Sequence, residues 1–331
     1  MTSASLPVPE RRHPVADVLR ERCGDGSLPG ARDDSHRVAL VLEGGGMRGV
    51  VSAGMTAALE RFGLTRCFDL VVGASAGAIN GAALLAGVAQ RGAATYWGPL
   101  ASRSFVNPAH LLRGRPVLDV GHVLDLAGGL DADGHERVLD SPIALHCIAV
   151  DVESAGVVDL SGMRSKRALW DALLASSRMP WAGGAPVEVD GRRYLDGGMA
   201  SPIPVAEAIA AGATHVLALQ TRPHGVPRRS ASRLADRMIE RHLRQLNPAL
   251  VQLYRDRVAR YEILVADIAR RSLEPGAEPP HVLGVRPPAG SPCVGQLERR
   301  SAVLARAAAE AEQLVEQALS PGGWLRPAPV A

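Results

Sequence analysis

Twice near its start the sequence runs from a short apolar segment, through a glycine turn, into a helical pattern. Val38 to Leu42 is apolar at every position, which suits a strand buried on both faces. Gly44, Gly45, Gly46 and Gly49 follow, then Val51, Met55, Ala58, Leu59 and Phe62 at helical spacing, with Gly63 placed to stop them. Leu70, Val71 and Val72 lead into a second glycine-flanked turn and a small-residue helix expected over Gly77 to Ala89. Parallel strands need long crossovers, usually helical, so this repeat predicts an α/β fold with a mostly parallel sheet.

Further along, Ile143 to Val150 and Val157 to Leu160 read as paired strands around Ser154 and Gly156. A helix is expected from about Ser165 to Ser176. Val187 to Leu195 reads as a hairpin, because Asp190-Gly191 between alternating strands favours a tight turn. Pro204 to Ala211 is helical in pattern, Gly212 caps it, and His215 to Leu219 returns to a buried strand. Beyond Pro223 the pattern becomes long arginine-rich helices to about Arg271, a strand at Val282 to Val285, and an alanine-rich helix over Leu297 to Leu319. Three regions follow: a flexible leader (1–35) in which Val15 to Arg22 suits a short helix, a catalytic domain (36–222) and a mainly helical C-terminal extension packed on it (223–331). Residues 97–135, irregular and proline-containing, are read as a flap over the site.

Composition excludes several classes. A formal net charge of +3 is too small for a nucleic-acid binder, although Arg228 to Arg271 carries eleven Arg against five Asp or Glu. Such a stretch either attracts an anionic membrane surface or forms the solvated faces of helices. Met238, Ile239, Leu243 and Leu246 read as ordinary packing, with an interfacial face as the alternative. Cys23, Cys67, Cys147 and Cys293 are scattered without metal-like spacing, which fits a reducing compartment. No signal sequence or membrane-spanning run is visible, so a cytoplasmic protein is expected, without metal or cofactor.

Three motifs carry chemistry. Gly73-Ala-Ser75-Ala-Gly77, between a strand and a helix, forces its serine into an exposed turn at the positive end of that helix. Glu43 is followed by Gly44, Gly45, Gly46, Met47, Arg48 and Gly49, whose bare backbone amides suit an oxyanion hole or a phosphate cradle. Read as a dinucleotide fingerprint, this loop lacks the acidic residue expected at the end of the second strand; Asp69 lies at that strand's beginning. The third motif is Asp196, which ends a strand before Gly197 and Gly198 and so can approach another loop. Alone, it reads rather as an ordinary turn or capping aspartate.

In this order and spacing the motifs resemble the patatin-like phospholipase family. Its marks are a glycine-rich oxyanion loop, a Gly-x-Ser-x-Gly elbow and a downstream Asp-Gly-Gly. Ala175 to Pro186 is similar to that family's serine- and proline-bearing segment; Glu43 departs from the Asp that many relatives carry. The resemblance spans about residues 36–222. It implies a three-layer α/β/α sandwich and a lipid acyl hydrolase with a histidine-free dyad. Ser75 would be its nucleophile and Asp196 its base, with amides around Gly45, Gly46 and Met47 holding the oxyanion and Arg48 supporting their loop. An acyl-ester lipid is the implied substrate. Two alternatives stand beside it. One is a Ser–Asp–His esterase drawing on His215, His224, His242 or His281, which chain order permits. The other is a degenerate lipid-binding or regulatory module.

Overall fold

The computed structural model describes residues 13–107, 117–118, 120–121, 130, 133–180, 184–228, 232–319 and 325. Helix α1 (Pro14–Gly24) precedes strand β1 (Val38–Leu42), which passes through a 3₁₀ turn at Gly46–Gly49 into α2 (Val50–Arg61). Strand β2 (Leu70–Ala74) runs into α3 (Ala76–Leu85), followed by α4 (Ala89–Trp97) and α5 (Gly134–Leu139). Strands β3 (Ala144–Asp151) and β4 (Val157–Leu160), helix α6 (Lys166–Ser176) and strands β5 (Val187–Val189) and β6 (Arg192–Asp196) come next. The described chain closes with α7 (Val205–Ala210), β7 (His215–Leu219), α8 (Arg233–Leu246), α9 (Ala249–Arg255), α10 (Arg257–Leu273), β8 (His281–Val285) and α11 (Ser301–Leu319).

The strands form one sheet in the order β5-β6-β3-β2-β1-β7-β8, with β4 also on β3. From β3 to β8 the neighbours run parallel, while β4, β5 and β6 pair antiparallel. Alternate residues of β1 enter different cores. Val38, Leu40 and Leu42 pack with Met55 of α2, Ala82 of α3 and Ala307 of α11. Ala39 and Val41 pack with Val205 and Ala208 of α7 and with Val265 and Ile268 of α10. The result is a three-layer α/β/α sandwich. Each fully buried Val or Leu contributes about 1.5–3 kcal/mol relative to exposure, so both faces of the central strand anchor the fold.

Several boundaries differ from the sequence reading. The helix expected over Gly77 to Ala89 ends at Leu85, because Gly87 turns left-handed (φ +69°) and α4 restarts at Ala89. The arginine-rich stretch is three helices, broken at Pro248 and Asp256. Asn247 fixes the first break, donating to the carbonyls of Val152 and Glu153 while its Oδ1 accepts Ala249 N–H at 2.9 Å. The last helix begins at Ser301 rather than Leu297, since the Glu298 carboxylate accepts the N–H groups of Arg299 and Arg300.

Part of the expected leader is ordered. Val15 and Leu19 of α1 are buried, and Arg22, 2% exposed, donates to Asp34, Asp69 and the carbonyls of Cys67 and His36. The region after residue 222 is likewise more than a helical appendage. Its β8 extends the sheet beside β7, and α11 packs so closely on α2 that a side chain at Gly54 would strike the Ala308 carbonyl. Residues 1–12, most of the expected flap and most of the C-terminal tail lie outside the described residues; within the flap, Val106 pairs with Leu118.

Candidate active site

Between β2 and α3, Ser75 adopts φ +58° and ψ −131°, a conformation a serine holds only when its surroundings impose it. Those surroundings are tight. A side chain at Gly77 would run into the Leu42 carbonyl, so the helix can start this close to β1 only with glycine there. The Ser75 N–H donates to Ser176 Oγ at 3.0 Å, and that hydroxyl donates in turn to the Ile148 carbonyl at 2.7 Å. A polar side chain at the end of α6 thus pins the turn to β3.

Strand β3 also measures out the distance to the aspartate. Its Ile148 partners Ala74, and its next residue, Ala149, partners Asp196. Successive positions on one strand therefore hold the residue before Ser75 and the residue that ends β6. Ser75 Oγ donates to Asp196 Oδ2 at 2.8 Å, while Oδ1 accepts the Gly198 N–H at 2.7 Å. Asp196 is 6% exposed, and burial pushes its carboxyl up to about 6 despite those two hydrogen bonds and the nearby Arg228. A carboxylate so placed lies within reach of the hydroxyl proton and is more basic than a free aspartate.

The glycine loop lies against the serine. Any side chain at Gly44 would meet the Ala74 carbonyl and come within 2.8 Å of Ser75 Cβ. Gly45 has φ +142°, and among the described residues the N–H groups of Gly44, Gly45 and Gly46 meet no acceptor. Met47 departs from the sequence reading, because its N–H donates to the Gln296 carbonyl at 3.0 Å and is not free. The Arg48 N–H likewise donates to Gly45 O, while its side chain donates through Nε to Thr221 Oγ1 at 3.1 Å. Thr221 bonds the Gly44 carbonyl, and its N–H reaches Glu43 Oε2 at 2.6 Å. Glu43 and Arg48 therefore brace the loop from both ends through one threonine. Gly49 packs against Ala76 and Tyr96, away from this role.

A cavity of about 490 Å³ opens over Ser75 and Asp196. Met179, Pro180, Met199, Pro202 and Leu297 give it apolar walls. Arg48, Arg222, Arg228 and Arg257 give it cationic ones, with Tyr254 and Tyr261 between them. Burial, with Arg48 and Arg222 close by, lowers the Arg228 guanidinium to about 10. The arginines after residue 221 and the Ser176 relay escaped the sequence reading. Arginine-rich helices look alike whether they face solvent or a cavity, and a serine in a small-residue helix carries no distinguishing pattern. The segment holding Ser176 was singled out; its part in the elbow was not.

No histidine among the described residues lines the cavity. His215 begins β7 level with Val38, at the opposite end of the sheet from Ser75, against the rings of His36 and His281 at 4.6 and 5.1 Å. Burial lowers it to about 4. On α8, Ile239 and Leu243 are buried with Val150 and Leu250 and Leu246 packs against them, as ordinary packing requires, while Met238 is exposed beside Leu234. Among the described residues no His, Cys, Asp or Glu cluster suits a metal ion.

A family model described as Patatin-like phospholipase matches residues 40–209. The uncharacterized protein YjjU of Escherichia coli (strain K12) is 31% identical over 193 residues, 56% of this chain and 52% of that protein. The uncharacterized NTE family proteins Mb1092c of Mycobacterium bovis and Rv1063c of Mycobacterium tuberculosis are each 31% identical over 195 residues, 56% of this chain and 49% of theirs. The chain spans about half the length of these relatives.

Proposed function

The chain belongs to the patatin-like phospholipase family, and we propose that it is a lipid acyl hydrolase working through a Ser75 acyl-enzyme. The observation that carries this reading is the 2.8 Å hydrogen bond from Ser75 Oγ to Asp196 Oδ2. In the proposed reaction Ser75 Oγ attacks the carbonyl carbon of an ester and its proton passes to Asp196. The oxyanion forms against the N–H groups of Gly44, Gly45 and Gly46, which need no reorganisation to receive it. Collapse expels the alcohol, which takes the proton from Asp196. Water then attacks the acyl-enzyme, gives its proton to Asp196, and Ser75 leaves with that proton.

A free aspartate, with a pKa of about 3.9, is a weak base for a hydroxyl, and burial supplies part of the deficit. The oxyanion donors supply more, since losing one typically costs about 10²–10³ in turnover. The apolar cavity walls suit an acyl chain. Among the described residues no helix is long and apolar enough to cross a membrane; contact with an anionic membrane surface through the outer face of α8, in the cytoplasm, completes the proposal.

The test is labelling by a fluorophosphonate together with hydrolysis of acyl esters of graded chain length. Wild-type protein should be labelled at Ser75, and Ser75→Ala and Asp196→Asn should each abolish turnover with the fold retained. Wild-type activity in either variant, or an unlabelled Ser75, refutes the assignment. Lipid binding without any turnover would point instead to a binding module.

A further inference from the structure

The cavity holds more positive charge than the dyad uses. Arg48, Arg222 and Arg228 line it, against the carboxylates of Glu43 and Asp196. Arg257 also lines it but is neutralised by Asp236 at 2.9 Å. The first three donate, among the described residues, to neutral oxygens: Arg48 to Thr221 Oγ1, Arg222 to the Pro227 carbonyl and Arg228 to the Gly198 carbonyl. Arg48 is only 6% exposed, and among the described residues the buried Arg222 Nε meets no hydrogen-bond partner. Burying three guanidiniums together against fewer carboxylates is unfavourable: desolvation, Arg48 and Arg222 all act to lower Arg228, and Glu43 offsets them only in part. A bound anion would relieve that cost.

The arginines are also held ready. Arg222 and Arg228 each sit 5.6 Å from the centroid of the buried Tyr261 ring, so one aromatic platform orients both. The carbonyl that Arg228 bonds belongs to Gly198, whose N–H is bonded to Asp196, so this charge lies one loop away from the base. The aromatic surfaces that would otherwise attract an ammonium group are taken, since Arg257 covers Tyr254 at 3.5 Å. Arg222, Arg228 and Tyr261 all lie beyond residue 209, where the family match stops.

We propose that Arg48, Arg222 and Arg228 form a phosphate subsite that selects acyl esters bearing a net-anionic phosphate, such as a phosphomonoester, over zwitterionic and neutral esters. This deepens the hydrolase reading and rests on it for the word substrate. Guanidiniums match phosphate oxygens through paired N–H donors. A choline or ethanolamine headgroup would bring its ammonium among like charges, and a neutral glyceride would leave the guanidiniums uncompensated.

The decisive experiment compares kcat/KM for short-chain, monomeric acylglycerol phosphate, acylglycerophosphocholine and acylglycerol, so that attraction to a charged surface plays no part. The phosphomonoester should be preferred over both others by about tenfold or more, and Arg222→Gln and Arg228→Gln should each erode that ratio, whatever their absolute rates. A ratio near one in the wild type overturns the proposal and leaves the hydrolase reading intact. A second arm titrates glycerol 3-phosphate and inorganic phosphate calorimetrically into the Ser75→Ala protein. Binding of glycerol 3-phosphate that inorganic phosphate competes away supports the subsite, even if no ester proves to be cleaved. Binding of inorganic phosphate alone would reassign the site to the free ion. Absence of heat with either ligand overturns the proposal without recourse to any arginine variant.

Discussion

Ser176 Oγ accepts the N–H of Ser75 at 3.0 Å and donates its O–H to the Ile148 carbonyl at 2.7 Å, tying the strained turn to the strand that aligns Asp196. Ser176→Ala would leave a buried N–H and a buried carbonyl without this partner, each costing about 1–3 kcal/mol before relaxation. The turn would then relax and Ser75 Oγ would drift from Asp196. The expected result is a loss of kcat well beyond any change in KM, with reduced thermal stability. Unchanged kcat in a destabilised variant would show that Ser176 only holds the fold.

Acid should silence the proposed hydrolysis. Asp196 acts as a base only when ionised, and burial raises it to about 6. The rate of ester hydrolysis should therefore climb as pH rises through about 6 and level off above it. A stopped-assay profile of kcat/KM from pH 4 to 8 checks this. A plateau reaching down to pH 4 would mean that another group takes the proton.

The same burial makes Asp196 a liability for stability. Its folded value stands above the unfolded 3.8, so the folded state binds the extra proton and stability falls as pH rises through the window from about 4 to about 6. At neutral pH the ionised carboxylate costs on the order of 3 kcal/mol. Asp196→Asn removes that charge; its carbonyl can still accept the Gly198 N–H, with the amide N–H turned to donate to Ser75 Oγ. The variant should be inactive yet more resistant to urea than wild type at pH 8, with the gap shrinking at pH 4. Equal midpoints at both pH values would sink the idea.

Much of the fold can be read from residue order because its rules are local. Val38 to Leu42 is apolar throughout, and a strand of that kind has one stable place, the middle of a covered sheet. Asp190 and Gly191 both turn with positive φ, as a tight hairpin requires. Ser75 and Asp196 were legible because their glycine neighbours leave a pattern. What stayed hidden depends on long-range meetings. Nothing adjacent to Met47 indicates that its N–H is spent on Gln296, and nothing around Arg228 distinguishes a guanidinium in a cavity from one in water. Arg22 was hidden for the same reason, its partners lying 12 and 47 residues away.

Arg22 offers a clean test of whether α1 belongs to the folded unit. It is 2% exposed and bridges Asp34 at 2.8 Å and Asp69 at 2.7 Å. Arg22→Met would leave both carboxylates and two carbonyls short of their donor, a loss of about 3–5 kcal/mol for a buried pair. The pair holds Asp34 down to about 2, below its unfolded 3.8. Its contribution is therefore complete above 3.8 and lost as pH falls toward 2. Denaturant melts of wild type and variant should differ strongly at pH 7, and the gap should narrow toward pH 2 to the share owed to the carbonyls. A variant as stable as wild type at pH 7 would show that α1 is dispensable.

The outer face of α8 makes the last prediction. Leu234 is 69% exposed and Met238 57%, one helical turn apart, with exposed Arg237 and Arg241 beside them. Apolar tips among cations suit the boundary of an anionic bilayer, where each Arg near the surface adds about 1 kcal/mol of attraction. Arg228 precedes this helix and Asp236 within it holds Arg257, so the face that would touch lipid is joined to the cavity wall. Vesicles containing phosphatidylserine should sediment the protein, and pure phosphatidylcholine vesicles should not. Leu234→Ser with Met238→Ser should weaken that binding several-fold without altering hydrolysis of a monomeric ester. Equally negligible binding to both vesicle types would remove the membrane from the account, because the attraction requires opposite charge and a place for the apolar tips at once.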